Sequence, residues 1–504
     1  MSQPVLRRKA AYVTFAGSTA TTLVASVQAL LLMPLYLHYI GPKLYGAWLA
    51  SGDLLVFMLA FDMGIPNLII QRIGAALATH DKRTIGAYFG TGAAILLTFS
   101  ALLGIALISV SPFIAGWMHI EGAQAQQLRG AFLLGSGAIC TMLVNYIFQG
   151  LARGIQETTA VNISAFVGVV LGFAVTLTML LSGYGVWSIA AGLAVRSGTV
   201  LIGCLGFLFF GVDREIRRHI RLDRAVGREF WRISPPLFIS GLGYTLMNDS
   251  QVLLAATVLG PESATVFGLT RKAAEMAGTI LDGVGQGSFG GFSHLYASGD
   301  GARSKTVYRE VVAVYLGVGF ALMCAYVAVN PGLVGVWAGP KMFGGTALTV
   351  LLAISVLMTG WSYLSLCLYR STNHHHAASG ALLLECVCRV PLMYAFLRMF
   401  GLPGIPVGAI STSLISGLWA HFRIVRLLPA DTERAKATVQ VWTTRLAFFG
   451  FAAAVCVFFA RPSWSFVVLA GAGIVALAGL VFLRIDPSLL RMKSVLERRF
   501  AGAR

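Results

Sequence analysis

Residues 269–287 read LTRKAAEMAGTILDGVGQG and set Arg271, Lys272, Glu275 and Asp282 inside one of the long apolar stretches of the chain. A guanidinium and an ammonium kept away from bulk water suit the binding of phosphate or carboxylate groups. The guanidinium offers paired hydrogen bonds and the ammonium a compact point charge. Carboxylates beside them tune that field or hold a coupling cation. Each ionisable side chain at the centre of a bilayer costs at least about 2.5–3.5 kcal/mol, so each needs a partner. Other charges stand in apolar runs too: Arg196, the pair Glu385 and Arg389, Asn248 with Asp249, and Asp53 and Asp62.

Successive helical residues turn by about 100°, which predicts Arg271, Glu275 and Asp282 on one narrow stripe facing the bundle interior or water. Arg271 with Glu275, and Arg389 with Glu385, stand at the i, i+4 spacing that lets them satisfy each other along their own helices. For Glu385 and Arg389 that internal pairing is preferred over a ligand role. Arg196 and Lys272 are assigned no acid on their own helices, so another helix or a ligand must supply it. Asp62 and Asp282 are expected near the inner surface, as gate or helix-end groups.

The elements that position these groups follow from composition. The 504 residues are 57% hydrophobic and 12% charged, with a mean hydropathy of +0.77; soluble domains carry about 25% charged residues. Apolar runs of about 20 residues recur along the whole chain, each enough to cross about 30 Å of hydrocarbon. They predict an all-α polytopic membrane protein with spans near 11–38, 45–70, 85–113, 130–152, 158–181, 185–210, 233–258, 263–288, 310–330, 345–368, 377–398, 404–425, 445–461 and 464–483, about fourteen helices. With the N-terminus inside, the outside loops hold only Lys43, Arg129, Lys341, Arg398 and Arg461, while most of the 38 basic residues lie on the other side. Both termini are therefore placed in the cytoplasm. The net charge of +18 reflects topology and anionic headgroups rather than nucleic acid.

Several features carry less chemistry. The basic start followed by a long apolar run is an uncleaved first helix, its run being too long for a signal peptide. All seven cysteines fall within predicted spans, so no disulfide framework or zinc site is implied. His374, His375 and His376 read as loop residues rather than metal ligands. Gly285, Gly287 and Gly290 match a dinucleotide motif but lie in a helix, where small residues permit close helix approach. No cofactor is called for. The largest outside segment, around 114–129, offers only Glu121, which disfavours an enzyme with external acid/base chemistry.

The sequence also repeats itself. LHYIGPKLYGAWLASGDLL and ATVLGPESATVFGLTRKAA share a Gly-Pro turn, Gly41-Pro42 and Gly260-Pro261, and Asp62-Met63-Gly64 answers Asp282-Gly283 at nearly the same offset. Both copies enter the membrane in the same direction, a parallel repeat of the kind that binds substrate near the midplane between its halves. The expected organisation is a six-helix bundle over 1–211, a basic linker over 212–232, a second six-helix bundle over 233–427, and two extra helices with a basic tail over 428–504. The linker, DREIRRHIRLDRAVGREFWR, is either a solvated connector or a membrane-surface segment.

Pro34, Leu35, Tyr36, Leu37, Gly41, Tyr45, Gly46, Trp48, Asp62 and Gly64 form a pattern that resembles the opening of the polysaccharide transporter family, the Wzx-type O-antigen and exopolysaccharide flippases. YTLMNDSQVLLAATVLGPESATVFG is similar to the family's second-half counterpart, with an acid at Asp249. The resemblance implies the two-bundle fold of the multidrug/oligosaccharidyl-lipid/polysaccharide exporters. It also implies a polyprenyl-diphosphate-linked oligosaccharide moved across the bacterial inner membrane by alternating access. On this reading Arg196, Arg271, Lys272 and Arg389 bind the diphosphate or acidic sugars, while Asp249, Glu275 and Asn248 tune charge or hold a coupling cation. The expected partners are the lipid-linked glycan, the bilayer, and a polysaccharide polymerase and glycosyltransferases, with the protein itself monomeric. The alternatives are a cation-coupled multidrug extruder of the same fold and a non-transporting scaffold in a glycan-assembly complex.

Overall fold

The computed structural model describes residues 21, 24, 25, 27–79, 81–428 and 435–486, and every regular element among them is helical. After α1 (Val27–Tyr39), α2 (Pro42–Phe57) runs through a 3-10 turn (Met58–Asp62) into α3 (Ile65–Ala78). There follow α4 (Lys82–Trp117), α5 (Gly122–Gly154), α6 (Thr159–Leu181) and α7 (Trp187–Gly206), then the short α8 (Arg214–Arg218) and the long α9 (Arg224–Leu259). The remainder is α10 (Pro261–Ala297), α11 (Gly301–Trp337), α12 (Thr346–Ser371), α13 (His375–Phe400), α14 (Gly404–Leu427), α15 (Ala435–Phe459) and α16 (Trp464–Ile485). Among the described residues, nine helices are long and apolar enough to cross a bilayer and shorter apolar helices accompany them. Every expected span has a helix, or for the second span a broken helix, in its place; the first span before residue 21 lies outside the described residues.

The chain forms two compact units, Met1–Thr265 and Val266–Arg504. The division falls inside α10, whereas the sequence suggested one at the basic linker. The reason is packing: α9 lies along α2, and the linker is pressed onto α4. A Cβ on Gly86 would stand 2.6 Å from the His219 backbone, and one on Gly90 2.7 Å from the Arg221 carbonyl oxygen. Only glycine permits that approach. The Asp223 N–H adds a hydrogen bond to Thr91 Oγ1 at 3.0 Å, and Lys82 Nζ reaches Asp213 and Glu215 at 2.7 Å each. The linker is thus a docked segment rather than a solvated connector.

The repeated Gly-Pro turns share a backbone. Gly41 has φ +82° and Gly260 φ +93°, a left-handed value that L side chains resist, and each following proline opens a helix. Within the first unit these turns meet: Thr265 Oγ1 donates to the Pro42 carbonyl at 2.6 Å, and a Cβ on Gly46 would lie 1.8 Å from the Pro261 oxygen. The repeat ends at the second match. Met63 (φ +55°) and Gly64 (φ +66°) break the α2–α3 span, while α10 runs unbroken through Asp282-Gly283. Pro66 explains the difference, because its ring clashes with the carbonyl four residues back, at Asp62; no proline follows Asp282 at that distance.

In the second unit α14 packs on α12 and α13, while α15 and α16 dock on α11. The last two helices, outside the repeat in sequence, are fastened by an apolar cluster of Cys324, Ala328, Ala452 and Ile474. Arg445 Nη2 donates to Asp486 Oδ2 at 2.9 Å, and its guanidinium lies 5.7–6.0 Å from the ring centres of Phe482, Trp442 and Phe320. The cysteines are all free and all lie on helices. His374 caps α13 and stacks on Tyr369 at 4.9 Å.

Candidate functional site

In the first unit a seam of small residues sets the position of Arg196. Along α6 and α7, a Cβ on Gly168 would come within 2.9 Å of the Arg196 carbonyl oxygen and one on Gly192 within 1.8 Å of Thr176 Oγ1. The two helices therefore touch backbone to backbone. On the other side of α7, Asn145 Nδ2 of α5 donates to the Ser197 carbonyl at 2.9 Å. With the backbone held on both sides, the Arg196 side chain is exposed in mid-helix. It forms no ion pair with a carboxylate among the described residues.

Tyr146 of α5 lies within electrostatic range of both Arg196 and Asp62, and so joins three elements in one site. The sequence does not single out Tyr146, since a tyrosine in an apolar helix carries no local sign of what it will face. Asp62 sits at the helix break, where its Oδ1 accepts the Gly64 N–H at 2.8 Å. It is therefore a helix-end group at the break between α2 and α3, with α3 continuing for 14 residues beyond it.

In the second unit, α10 is anchored immediately before its basic pair. The Thr270 carbonyl accepts from Tyr326 Oη at 2.8 Å and Asn330 Nδ2 at 3.2 Å, both on α11. Lys272 Nζ then lies 3.4 Å from Glu275 Oε2, with both side chains about two-fifths exposed. This corrects the expectation that Lys272 has no acid on its own helix: Glu275 stands at i+3, one of the two spacings that meet on a helix. Arg271 is half-buried within electrostatic range of the same carboxylate. Asp282 is half-buried on α10 near Tyr315 and Asp249 is half-buried on α9; the side chain of Asn248 lies outside the described residues.

Arg389 is placed differently from what a ligand role requires. It has 0% exposure and is bonded to Glu385 on its own helix, to Thr412 Oγ1 at 3.1 Å and to Ser413 Oγ. Glu385 in turn accepts from Ser362 at 3.1 Å, Ser413 at 2.9 Å and Ser416 at 2.5 Å. This network ties α12, α13 and α14 together and leaves Arg389 no route to a cargo in this conformation. The structure thus brings together Asp62, Tyr146 and Arg196 in one unit and Arg271, Lys272 and Glu275 in the other.

Two helical units with charged groups held in mid-helix define a polytopic membrane protein, and its fold is that of solved membrane transporters. A solved inward-facing multidrug resistance MATE family transporter of the MOP superfamily matches with a TM-score of 0.67 over 80% of this chain and 95% of that one, at 15% identity. A MOP superfamily transporter from Pyrococcus furiosus, described as having a binding pocket of reversed polarity, matches at 0.52 over 83% and 95%, at 14% identity. The family model for polysaccharide biosynthesis proteins matches residues 54–344, more than half of the chain. The chain belongs to that family. A multidrug export protein of Staphylococcus saprophyticus is 21% identical over 81% of this chain and 91% of its own length. A provisionally named O-antigen transporter of Shigella flexneri is 24% identical over 25% of this chain and 29% of its own length.

Proposed function

We propose that the protein flips a polyprenyl-diphosphate-linked oligosaccharide across the bacterial inner membrane by alternating access, with its basic ends and both termini in the cytoplasm. The observation that carries this reading is Arg196: a guanidinium kept in mid-helix, exposed and without a carboxylate partner among the described residues, suits a phosphorylated cargo. Membership of the polysaccharide biosynthesis family supports the same class of cargo. Arg271 and Lys272 add positive charge from the second unit, and Glu275 moderates Lys272, so Arg196 carries the larger share of binding. Asp62 and Asp282 serve as helix-end or gating groups, and Asp249 and Asn248 remain the residues for charge tuning or a coupling cation. The chain acts as a carrier and not as an enzyme.

A second reading, export of cationic drugs, is favoured by the acid at Asp62 beside Tyr146 and by the Staphylococcus saprophyticus relative. Export of labelled lipid-linked sugar from vesicles separates the two. Arg196→Gln with Lys272→Gln should stop glycan export at unchanged protein level; normal glycan export in this double variant overturns the proposal.

A further inference from the structure

Outside that mid-membrane site, the segment joining α7 to α9 carries charges that the function above does not use. It reads DREIRRHIRLDRAVGREFWR over 213–232, and its four acids are all engaged. Asp213 and Glu215 each accept from Lys82 at 2.7 Å. Asp223 caps the Ala225 and Val226 N–H groups at 2.8 and 3.3 Å and lies 3.8 Å from Arg221, while Glu229 is held by Arg72 and Tyr88. Among the arginines, Arg217 donates to the Phe209 carbonyl. Arg214, Arg218, Arg224, Arg228 and Arg232 are exposed and make no ion pair among the described residues.

Exposed apolar side chains accompany these charges. Phe210 is 93% exposed, Leu222 73% and Trp231 62%. Arg224, Arg228 and Arg232 follow at one-turn spacing on α9, and Trp231 comes about two turns after Arg224, on the same face. Tryptophan beside arginine is the pairing found where headgroups meet hydrocarbon. The length of α9 puts that boundary here. Its 36 residues extend about 54 Å, against about 30 Å of hydrocarbon. No charged residue follows Arg232 until Asp249, so the hydrocarbon begins at Arg232 and the turns before it lie in the headgroup layer.

We propose that the linker and the start of α9 form an interfacial site that selects anionic bilayer phospholipids, of the phosphatidylglycerol type, over zwitterionic ones. Phosphodiesters lie against Arg224, Arg228 and Arg232, and the exposed Trp231, Leu222 and Phe210 side chains enter the glycerol and upper acyl layer. A zwitterionic headgroup sets its own cation against the arginines, whereas an anionic one does not. An acidic soluble protein would meet the charge but leave Phe210 and Leu222 in water; a bilayer accepts both. The array is fixed rather than a loose basic tail, because Gly86 and Gly90 hold residues 216–221 on α4. The site is independent of which cargo is carried.

Full-length protein should be reconstituted in dioleoyl phosphatidylcholine, with graded fractions replaced by brominated phosphatidylglycerol or brominated phosphatidylcholine, and tryptophan quenching recorded. The difference between wild type and Trp231→Phe isolates the Trp231 signal. Half of that signal should be quenched at an at least about three-fold lower fraction of phosphatidylglycerol than of phosphatidylcholine. Arg224→Gln with Arg228→Gln and Arg232→Gln, in the wild-type and Trp231→Phe backgrounds, should abolish the preference and leave quenching by phosphatidylcholine unchanged. About 1 M salt, which shortens the Debye length to about 3 Å, should weaken the preference in the unsubstituted protein, a readout that needs no variant to fold. Equal quenching by the two lipids, a preference that survives both the triple variant and high salt, or a Trp231 signal that neither lipid quenches overturns the site.

Discussion

Arg196 and Arg389 are the same side chain in the middle of apolar helices, one in each unit, and their surroundings are opposite. Arg196 is exposed beside Tyr146, with no ion-paired carboxylate among the described residues. Arg389 is sealed at 0% exposure and bonded to Glu385, Thr412 and Ser413. A paired, buried charge is a structural tie, costly to break and of little net stabilising value against an apolar replacement. An open, unpaired charge carries its unmet demand toward a ligand. The contrast explains why one arginine enters the proposed transport site and the other does not.

The largest effect should come from breaking the sealed pair. Glu385→Ala leaves Arg389 uncompensated and should lower stability by about 3–5 kcal/mol, read as a fall in the thermal unfolding midpoint in detergent. Replacing Glu385 and Arg389 together by Met and Leu should restore most of that stability and leave glycan export running. Loss of export in a folded double variant would give Arg389 a transport role and erase the contrast.

Arg196 should behave in the reverse way. Arg196→Gln should shift stability by no more than about 0.5 kcal/mol, as an exposed substitution does, while export falls at least about ten-fold, equivalent to about 1.4 kcal/mol. Arg196→Lys sharpens the test: it keeps the charge but loses the planar fork, so partial export is expected if bidentate phosphate contacts matter. Full recovery by lysine would mean that a point charge suffices.

A smaller effect concerns the linker. Gly90→Ala places a methyl group 2.7 Å from the Arg221 carbonyl oxygen, and overpacking of this kind costs about 1–3 kcal/mol. Faster hydrogen exchange in residues 213–221 should reveal the displaced segment.

The smallest is a pH effect at the same segment. The Lys82 ammonium beside it, and then the Glu215 N–H, hold the Asp213 carboxyl below its usual range. Hydrogen bonds to Asp213 and then Glu215 push the Lys82 ammonium above its usual value. A lowered carboxyl contributes stability above its unfolded value and loses it as pH falls through the folded one; a raised ammonium contributes below its unfolded value and loses it as pH rises through the folded one. Linker protection, with exchange corrected for its intrinsic dependence on pH, should therefore be flat around neutrality and fall below about pH 4, where unfolded carboxyls titrate.

Legibility from sequence differed by feature. The helices were readable because an apolar run about 20 residues long has one stable arrangement in a bilayer. The Gly-Pro turns were readable because left-handed glycine and helix-opening proline are local constraints. Asp62 as a helix-end group was readable, but the break beside it was not: it depends on Pro66 four residues on and on the left-handed Met63 and Gly64. The Glu385–Arg389 pair is visible in its i, i+4 spacing, and the Lys272–Glu275 pair in its i, i+3 spacing. Tyr146 was not legible, because nothing local in α5 says which residues of α7 or of the 3-10 turn will face it.

Composition and periodicity by themselves determined that this chain is a succession of membrane-crossing helices. That property follows from transfer of side chains between water and hydrocarbon, which each segment undergoes independently. Only the tertiary structure decided which buried-looking charges were satisfied. A charge separated in sequence from its partner by tens of residues is neutralised or left open by helix packing, here by glycine seams that bring α6 against α7 and the linker against α4.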